Sequence, residues 1–270
     1  MDETSLRLIP DSEAGYVVRR CQAAARASLG ERRTCLTYMG AICSESSLQP
    51  YVPQVLLTNG RLFGKICPRK ELARNVFLWT EGSAWVTASV MRRWLSLLRR
   101  SLSPHIGERS IILLVDCAPA HLERSVEPFA RRQRVRMLLV PPGLTRLLQP
   151  ADTHLFSRLK QRIRRLYCAK QLSSATGRLV PLEWLEVIRE AITSLLCSVR
   201  WRHAFERNGI LSCQSEMSLQ LCGQLFLESL PQVGSDPPAL EKARRAFPRR
   251  CKLDIESYVT WRPRKIRTLD

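Results

Sequence analysis

Two aspartates stand where an α/β protein tends to place its chemistry. Ile111-Ile112-Leu113-Leu114-Val115-Asp116 sets five apolar residues before an acid. That is the pattern of a buried strand with a carboxylate at its C-terminal edge, where open α/β sheets bind ligands. The next apolar run, Met137–Val140, leads through Pro141-Pro142-Gly143 to Pro150-Ala151-Asp152. Asp152 then falls in the first turn of a helix, three and four residues before Leu155 and Phe156, so its carboxylate points toward the packed side. Each acid also has a plainer role: Asp116 could cap the segment after it, and Asp152 could answer a helix dipole. Taken together, the two can converge on a hard cation, and a third carboxylate would complete a two-metal site. In such a site one ion activates an attacking oxygen and the other stabilises the leaving oxygen of a phosphodiester.

The charge balance supplies a reason for a phosphodiester to arrive. Forty-three Lys and Arg against 24 Asp and Glu leave a formal charge of +19, and basic surface gains free energy by releasing counterions from a polyanion. Nucleic acid is the first partner this suggests and an anionic membrane surface the second; an Arg-rich composition without a polyanionic partner is the plainer reading. No apolar run approaches the roughly 18–20 residues needed to cross a bilayer. Met1-Asp2-Glu3 is acidic where a secretion signal would be basic. The 10 cysteines form no C-x-x-C pair, so a zinc ribbon or thioredoxin-like motif is not expected, and reduced intracellular thiols are.

The elements that must position the acids are legible in outline. Strands are expected from the N-terminus to Leu6–Ile9, over Thr34–Cys43, Tyr51–Leu57, Ile111–Asp116 and Val135–Val140, with Asn59-Gly60 as a turn. Ser12–Arg32 reads as a connecting excursion, and the pattern does not decide Arg61–Glu81. Helices are expected over Ser83–Leu102 (ended by Pro104 and Gly107), Leu122–Arg132, Pro150 to about Ala169, and Pro181–Trp201. The order is that of an α/β layer with a mixed sheet flanked by helices.

The same residues resemble a known family. Leu114-Val115-Asp116-Cys117-Ala118-Pro119-Ala120-His121 looks like the second-aspartate motif of the pogo/Tigger-like branch of the Tc/mariner transposases, which carry a DDE-superfamily endonuclease domain. Val140-Pro141-Pro142-Gly143 through Leu147-Leu148-Gln149-Pro150-Ala151-Asp152 resembles the stretch leading to the third acid, 36 positions after Asp116. Met1-Asp2-Glu3-Thr4-Ser5-Leu6 resembles the motif holding the first. Ser83–Thr87 and Ala204–Ile210 also look like parts of that domain. The resemblance implies an RNase H-like fold with a C-terminal helical extension, and Mg²⁺ or Mn²⁺ as cofactor. Asp2, Asp116 and Asp152 would be both catalytic and metal-binding, with strand cleavage and transfer proceeding without a covalent enzyme intermediate. It places Asp2 on the first strand, Asp116 at the end of the fourth and Asp152 on the helix after the fifth. Two departures stand out. Cys117 replaces the usual asparagine, and the family's N-terminal helix-turn-helix region does not precede Asp2, so a truncated N-terminus or a decayed element is expected.

The domain expectation is a catalytic domain over 1–211 and a helical or loosely ordered basic tail over 212–270. The expected partner is DNA, with a homodimer in a transposition complex, no membrane association, and nuclear localisation. Arg158, Lys160, Arg162, Arg164 and Arg165 crowd the Asp152 helix and read either as a solvated face or as DNA backbone contacts. His121 is expected to make a local hydrogen bond that stabilises its turn, and His154 to reach solvent or phosphate. Glu3 should face away from Asp2 across the strand. Trp79, Trp85, Trp94, Trp184 and Trp201 are expected in the core. Against the nuclease stand a domesticated, catalytically silent DNA- or chromatin-binding derivative and a basic interaction protein with incidental acids.

Overall fold

A computed structural model describes residues 1–7, 35–60, 69–174 and 179–211. The expected excursion over Ser12–Arg32 and the tail over 212–270 lie outside the described residues.

Five strands form one mixed sheet. They are β1 (Asp2–Arg7), β2 (Cys35–Gly40), β3 (Gln54–Asn59), β4 (Arg69–Ala73) and β5 (Val76–Glu81), in the order β1-β2-β3-β5-β4. β1 and β2, β2 and β3, and β4 and β5 run antiparallel, whereas β3 and β5 run parallel. A second, parallel pair consists of β6 (Ile111–Val115) and β7 (Val135–Leu139). The undecided segment Arg61–Glu81 thus contains the β4–β5 hairpin among its described residues. Its turn is closed by Asn75, at φ 57, a left-handed conformation that asparagine tolerates better than most residues. Asn75 Nδ2 also donates to Pro50 O at 2.7 Å.

Both faces of the larger sheet are covered, which is why β3 is buried from Gln54 through Thr58 instead of alternating. On one face, Met39, Val55, Leu57 and Trp79 pack against α1 (Ala88–Ile106) through Val90, Trp94 and Leu98. On the other, Tyr38, Leu56 and Leu78 pack against α5 (Phe156–Ser173) and α6 (Pro181–Ser198) through Leu155, Phe156, Leu159 and Trp184. Shorter helices lie between: α2 (Pro119–Leu122), α3 (Val126–Arg132) and α4 (Thr145–Leu148), with α7 (Arg202–Arg207) after α6.

Several boundaries differ from the sequence reading for identifiable reasons. α1 begins at Ala88, because the Thr87 side chain accepts from Val90 N at 3.3 Å and caps the helix there. Pro104 lies inside its last turn, and Gly107, at φ 57, ends it. The expected helix Leu122–Arg132 is two helices separated at Glu123–Ser125. The expected helix from Pro150 opens instead with a π-helical turn, Ala151–Leu155, closed by the Phe156 amide on Ala151 O. Asp116 follows the sixth strand in chain order, because the β4–β5 hairpin adds two strands to the expected count. No helix among the described residues is long and apolar enough to cross a membrane.

The start of β1 touches everything the acids need. Asp2 pairs with Gly40, and Glu3 with Met39. The Met1 amine donates to Leu114 O at 2.8 Å, linking β1 to the end of β6, and Gln149 Nε2 donates to Met1 O at 3.1 Å. Gly40 is required by space. A Cβ there would lie 2.7 Å from the Tyr38 ring and 3.0 Å from Phe156. Tyr38 itself is held by donating to Gln54 Oε1 at 2.6 Å, so it has little room to yield. Gly40→Ala is therefore expected to destabilise the fold by about 1–3 kcal/mol, as overpacked cores do. Urea denaturation followed by far-UV circular dichroism checks this, and an unchanged midpoint would contradict the packing described.

Candidate metal centre

Four acids gather where β1, β6 and the π-turn meet. Asp2 is carried by β1 on the side of Tyr38 and α5, and only 6% of its surface is exposed. Its Oδ1 accepts from the Glu3 amide at 2.8 Å. Burial, together with the charge of Asp152 and a hydrogen bond to the Asp152 side chain, pushes the Asp2 carboxyl up to about 8. Asp2 and Asp152 are thus direct neighbours, as two carboxyls that cannot comfortably ionise together without a cation.

Asp152 reaches this position from the π-turn, which is pinned from behind. Thr153 Oγ1 lies within hydrogen-bond distance of two acceptors, Gln149 O and Asn208 Oδ1, each at 3.0 Å, between which its one proton is shared. Asn208, buried after α7, in turn donates to Leu147 O. The Ala204–Ile210 segment therefore bears on the site by fixing the loop that presents Asp152.

Asp116 follows β6 directly and sits in a different arrangement. Its Oδ1 accepts from the Ala118 amide at 3.2 Å and from His121 Nδ1 at 2.7 Å. Burial alone would raise its pKa. The His121 hydrogen bond and charge, the Ala118 amide and the Met1 amine outweigh burial and hold the carboxyl below its ordinary value. His121 has no exposed side-chain surface, and its Nε2 donates to Glu3 Oε1 at 2.9 Å. Burial would lower the imidazole, but the two carboxylates raise it to about 10, so the ring is an imidazolium at neutral pH. Donor atoms of Glu3, Asp116 and His121 lie within 4.8 Å of one another.

The structure therefore brings Asp2 to Asp152, and Asp116 to His121 and Glu3. The Met1 amine feels the charge of all four acids, although burial pushes it below its ordinary value. His121 makes the local bond expected of it. Its second bond, to Glu3, joins residues 118 positions apart, and sequence reading missed it. Only the pleat hinted at it: Glu3 pairs with Met39 and so faces away from Asp2, toward the α1 side. Cys117, at the usual asparagine position, donates its thiol to Val140 O at 3.2 Å and so ties the ends of β6 and β7 together.

Other candidates fall outside the centre. His154 is half-buried and edge-to-face with His203 at 5.6 Å. Burial first, then His203, Arg158 and Arg207, lower it to about 4. Arg158, Lys160, Arg162, Arg164 and Arg165 are all exposed on α5. Trp79, Trp94, Trp184 and Trp201 are core residues, but Trp85 is 80% exposed because α1 starts only after it.

Known proteins share parts of this chain. The DDE superfamily endonuclease family matches residues 70–213, which include Asp116, His121 and Asp152 but not β1. A mouse (Mus musculus) protein described as "Pogo transposable element with KRAB domain" is 21% identical over 219 residues, covering 77% of this chain and 33% of that protein. The chain thus spans about a third of the length of that relative. No solved structure matches.

The Asp2 carboxyl gives a test of the site's electrostatics in the absence of metal. Its folded-state value of about 8 lies above the ordinary 3.8, so the native protein keeps a proton that the unfolded chain releases. The stability Asp2 contributes is therefore present in full below the lower value and is lost as pH rises through the higher one. In EDTA, Asp2→Asn is expected to melt above the parent protein, by several degrees at about pH 8 and much less at about pH 5, since about 1 kcal/mol moves such a domain by roughly 2–4 °C. Differential scanning calorimetry across that range checks it, and a pH-independent difference would refute the assignment.

Proposed function

The chain belongs to the DDE superfamily endonucleases, as a pogo-like transposase domain, and from that premise we propose that it cuts and joins DNA phosphodiesters at a two-metal site held by Asp2, Asp116 and Asp152. The observation that carries the reading is the Asp2–Asp152 pair, two carboxyls in direct contact in a chain that also carries a large positive charge. An all-carboxylate donor set suits the hard cations Mg²⁺ and Mn²⁺ that DDE enzymes use. The buried Asp2 carboxyl beside Asp152 is the residues' own argument for a cation, since burial and its acidic neighbour disfavour its ionisation until a positive charge joins them.

When bound, the two ions would supply an activated attacking oxygen and stabilisation of the leaving oxygen. The protein's part is to aim and to hold. Asp116 follows β6, the π-turn carries Asp152, and β1 carries Asp2. An RNase H-like fold over 1–211 accounts for this convergence, with 212–270 as a separate basic tail. The exposed basic row on α5 would take DNA backbone beside the site. Nuclear localisation, and a homodimer that aligns two DNA ends, follow from the same reading. Nothing at the site sets the silent derivative above it.

The nuclease is tested with the full chain, end-labelled duplex DNA and Mn²⁺ or Mg²⁺. Cleavage is expected with either ion and none in EDTA. Asp116→Asn and Asp152→Asn should each lose at least about 10²-fold in rate, the scale of removing a group that stabilises transition-state charge. Equal cleavage by parent and variants would end the proposal. DNA binding by α5 is tested separately. The affinity of Arg162→Ala/Arg165→Ala should depend less steeply on salt, the log–log slope falling by about 1 for each phosphate the variant no longer neutralises. An unchanged slope would make the α5 row a solvated face.

A further inference from the structure

His121 occupies a position that neither metal binding nor turn stabilisation explains. Resting on the two-metal reading above, we propose that His121 is a positioning residue, a brace that locks Asp116 to β1 through Glu3 and so sets the spacing between Asp116 and Asp2.

The geometry is specific. His121 comes from α2, five residues after Asp116, and folds back beneath it with no side-chain exposure. Nδ1 donates to Asp116 Oδ1 at 2.7 Å, and Nε2 donates to Glu3 Oε1 at 2.9 Å. With the Ala118 amide also on Oδ1, that oxygen is fully engaged. Among the described residues, the hydrogen bonds to the Asp116 carboxylate all fall on Oδ1, which leaves Oδ2 to meet a ligand. Glu3, for its part, is the backbone neighbour of Asp2, whose Oδ1 accepts the Glu3 amide. One rigid ring therefore connects the acid on β6 to the residue adjoining the acid on β1.

Beyond the brace, the Met1 amine on Leu114 O also joins β1 to β6, but through the backbone and on the far side of Asp2 from Glu3. Without the brace, nothing in that single bond fixes the separation of the two carboxylates. His121 is not itself a ligand in this arrangement. Both nitrogens are already engaged with carboxylate oxygens, at 2.7 and 2.9 Å, and coordination through either would break that contact. Glu3 likewise spends one oxygen on the ring. The Glu3–His121–Asp116 cluster is compact enough to hold a cation, but the ring already fills its centre.

Groups that orient ligands commonly affect metal affinity by about 10–100-fold when removed. Isothermal titration of the full chain with Mn²⁺, below the melting temperature of each protein, is therefore expected to show His121→Ala weakened by that factor. Glu3→Ala should be weakened less, because the Asp116–His121 bond survives. The double variant Glu3→Ala/His121→Ala should be no worse than His121→Ala alone, since both act through one bridge. His121→Asn, which keeps an N–H on the Asp116 side, should recover part of the loss and serves if His121→Ala fails to fold. The cleavage rate of the His121 variants should recover at high Mn²⁺ with KM for DNA unchanged. Additive losses in the double variant, or Mn²⁺ affinity within twofold of the parent for His121→Ala, would overturn the brace. So would ¹⁴N coupling of His121 to bound Mn²⁺ by electron spin echo spectroscopy, which would make it a ligand. Asp116→Asn in the same titration separates the two readings: if it binds Mn²⁺ as the parent does, the metal site itself is wrong, whatever His121 does.

Discussion

Holding a buried carboxyl against a second acid is the constraint around which the rest of this fold is arranged. A lone buried carboxylate is costly, and two that touch are costlier, because each disfavours ionisation of the other. Asp2 and Asp152 show this directly: the Asp2 carboxyl is driven to about 8 by burial and by its neighbour. Such a pair persists only if surrounding structure over-determines it. The π-turn is held by Thr153 and Asn208, β1 is held by pairing with β2, and Gly40 leaves space for Tyr38 and Phe156 behind Asp2. Each of these contacts uses packing or hydrogen-bond energy to keep like charges close.

The alternation of a single strand divides the acids into two environments. Asp2 faces α5, where its neighbour is another acid, while Glu3 faces the α1 side, where its neighbour is a histidine. The consequences are opposite in sign. Asp2 is raised, and Asp116, sharing His121 with Glu3, is lowered. Two carboxylates of one centre therefore present different chemistry at neutral pH: Asp116 stays ionised without help, whereas Asp2 ionises readily only when a cation is near.

What could be read in advance followed from local pattern. Five apolar residues ending in Asp116 marked a strand edge, and the Leu155–Leu159–Ile163 spacing marked the helix after Asp152. The face assigned to Glu3 followed from the pleat. What escaped was set by partners distant in sequence or by geometry that periodicity does not encode. Arg69–Ala73 carries no apolar alternation because it is an edge strand, and only pairing with β5 makes it one. A helix and a π-turn have nearly the same apolar spacing over so short a stretch, so the turn at Ala151 was invisible. The Glu3–His121 bond depends on β1 lying beside β6, which no motif near either residue announces.

In the proposed function, the positive charge and the acidic centre would answer two different ligands, one on the exposed face of α5 and one at the acids. Acids at a strand edge repel phosphate, so a chain with this site alone would keep DNA away from it. The basic row on α5 begins six residues beyond Asp152, and its side chains from Arg158 to Arg165 are exposed. Because the helix rises about 1.5 Å per residue, those side chains span roughly 10 Å, enough to engage adjacent phosphates while a neighbouring one approaches the acids. In the proposed function, attraction would come from residues that never touch the reacting bond, and cations held by the carboxylates would relieve the repulsion at the site. The π-turn thus carries the acid that would hold a cation, and the helix it opens carries the bases that would draw the anion.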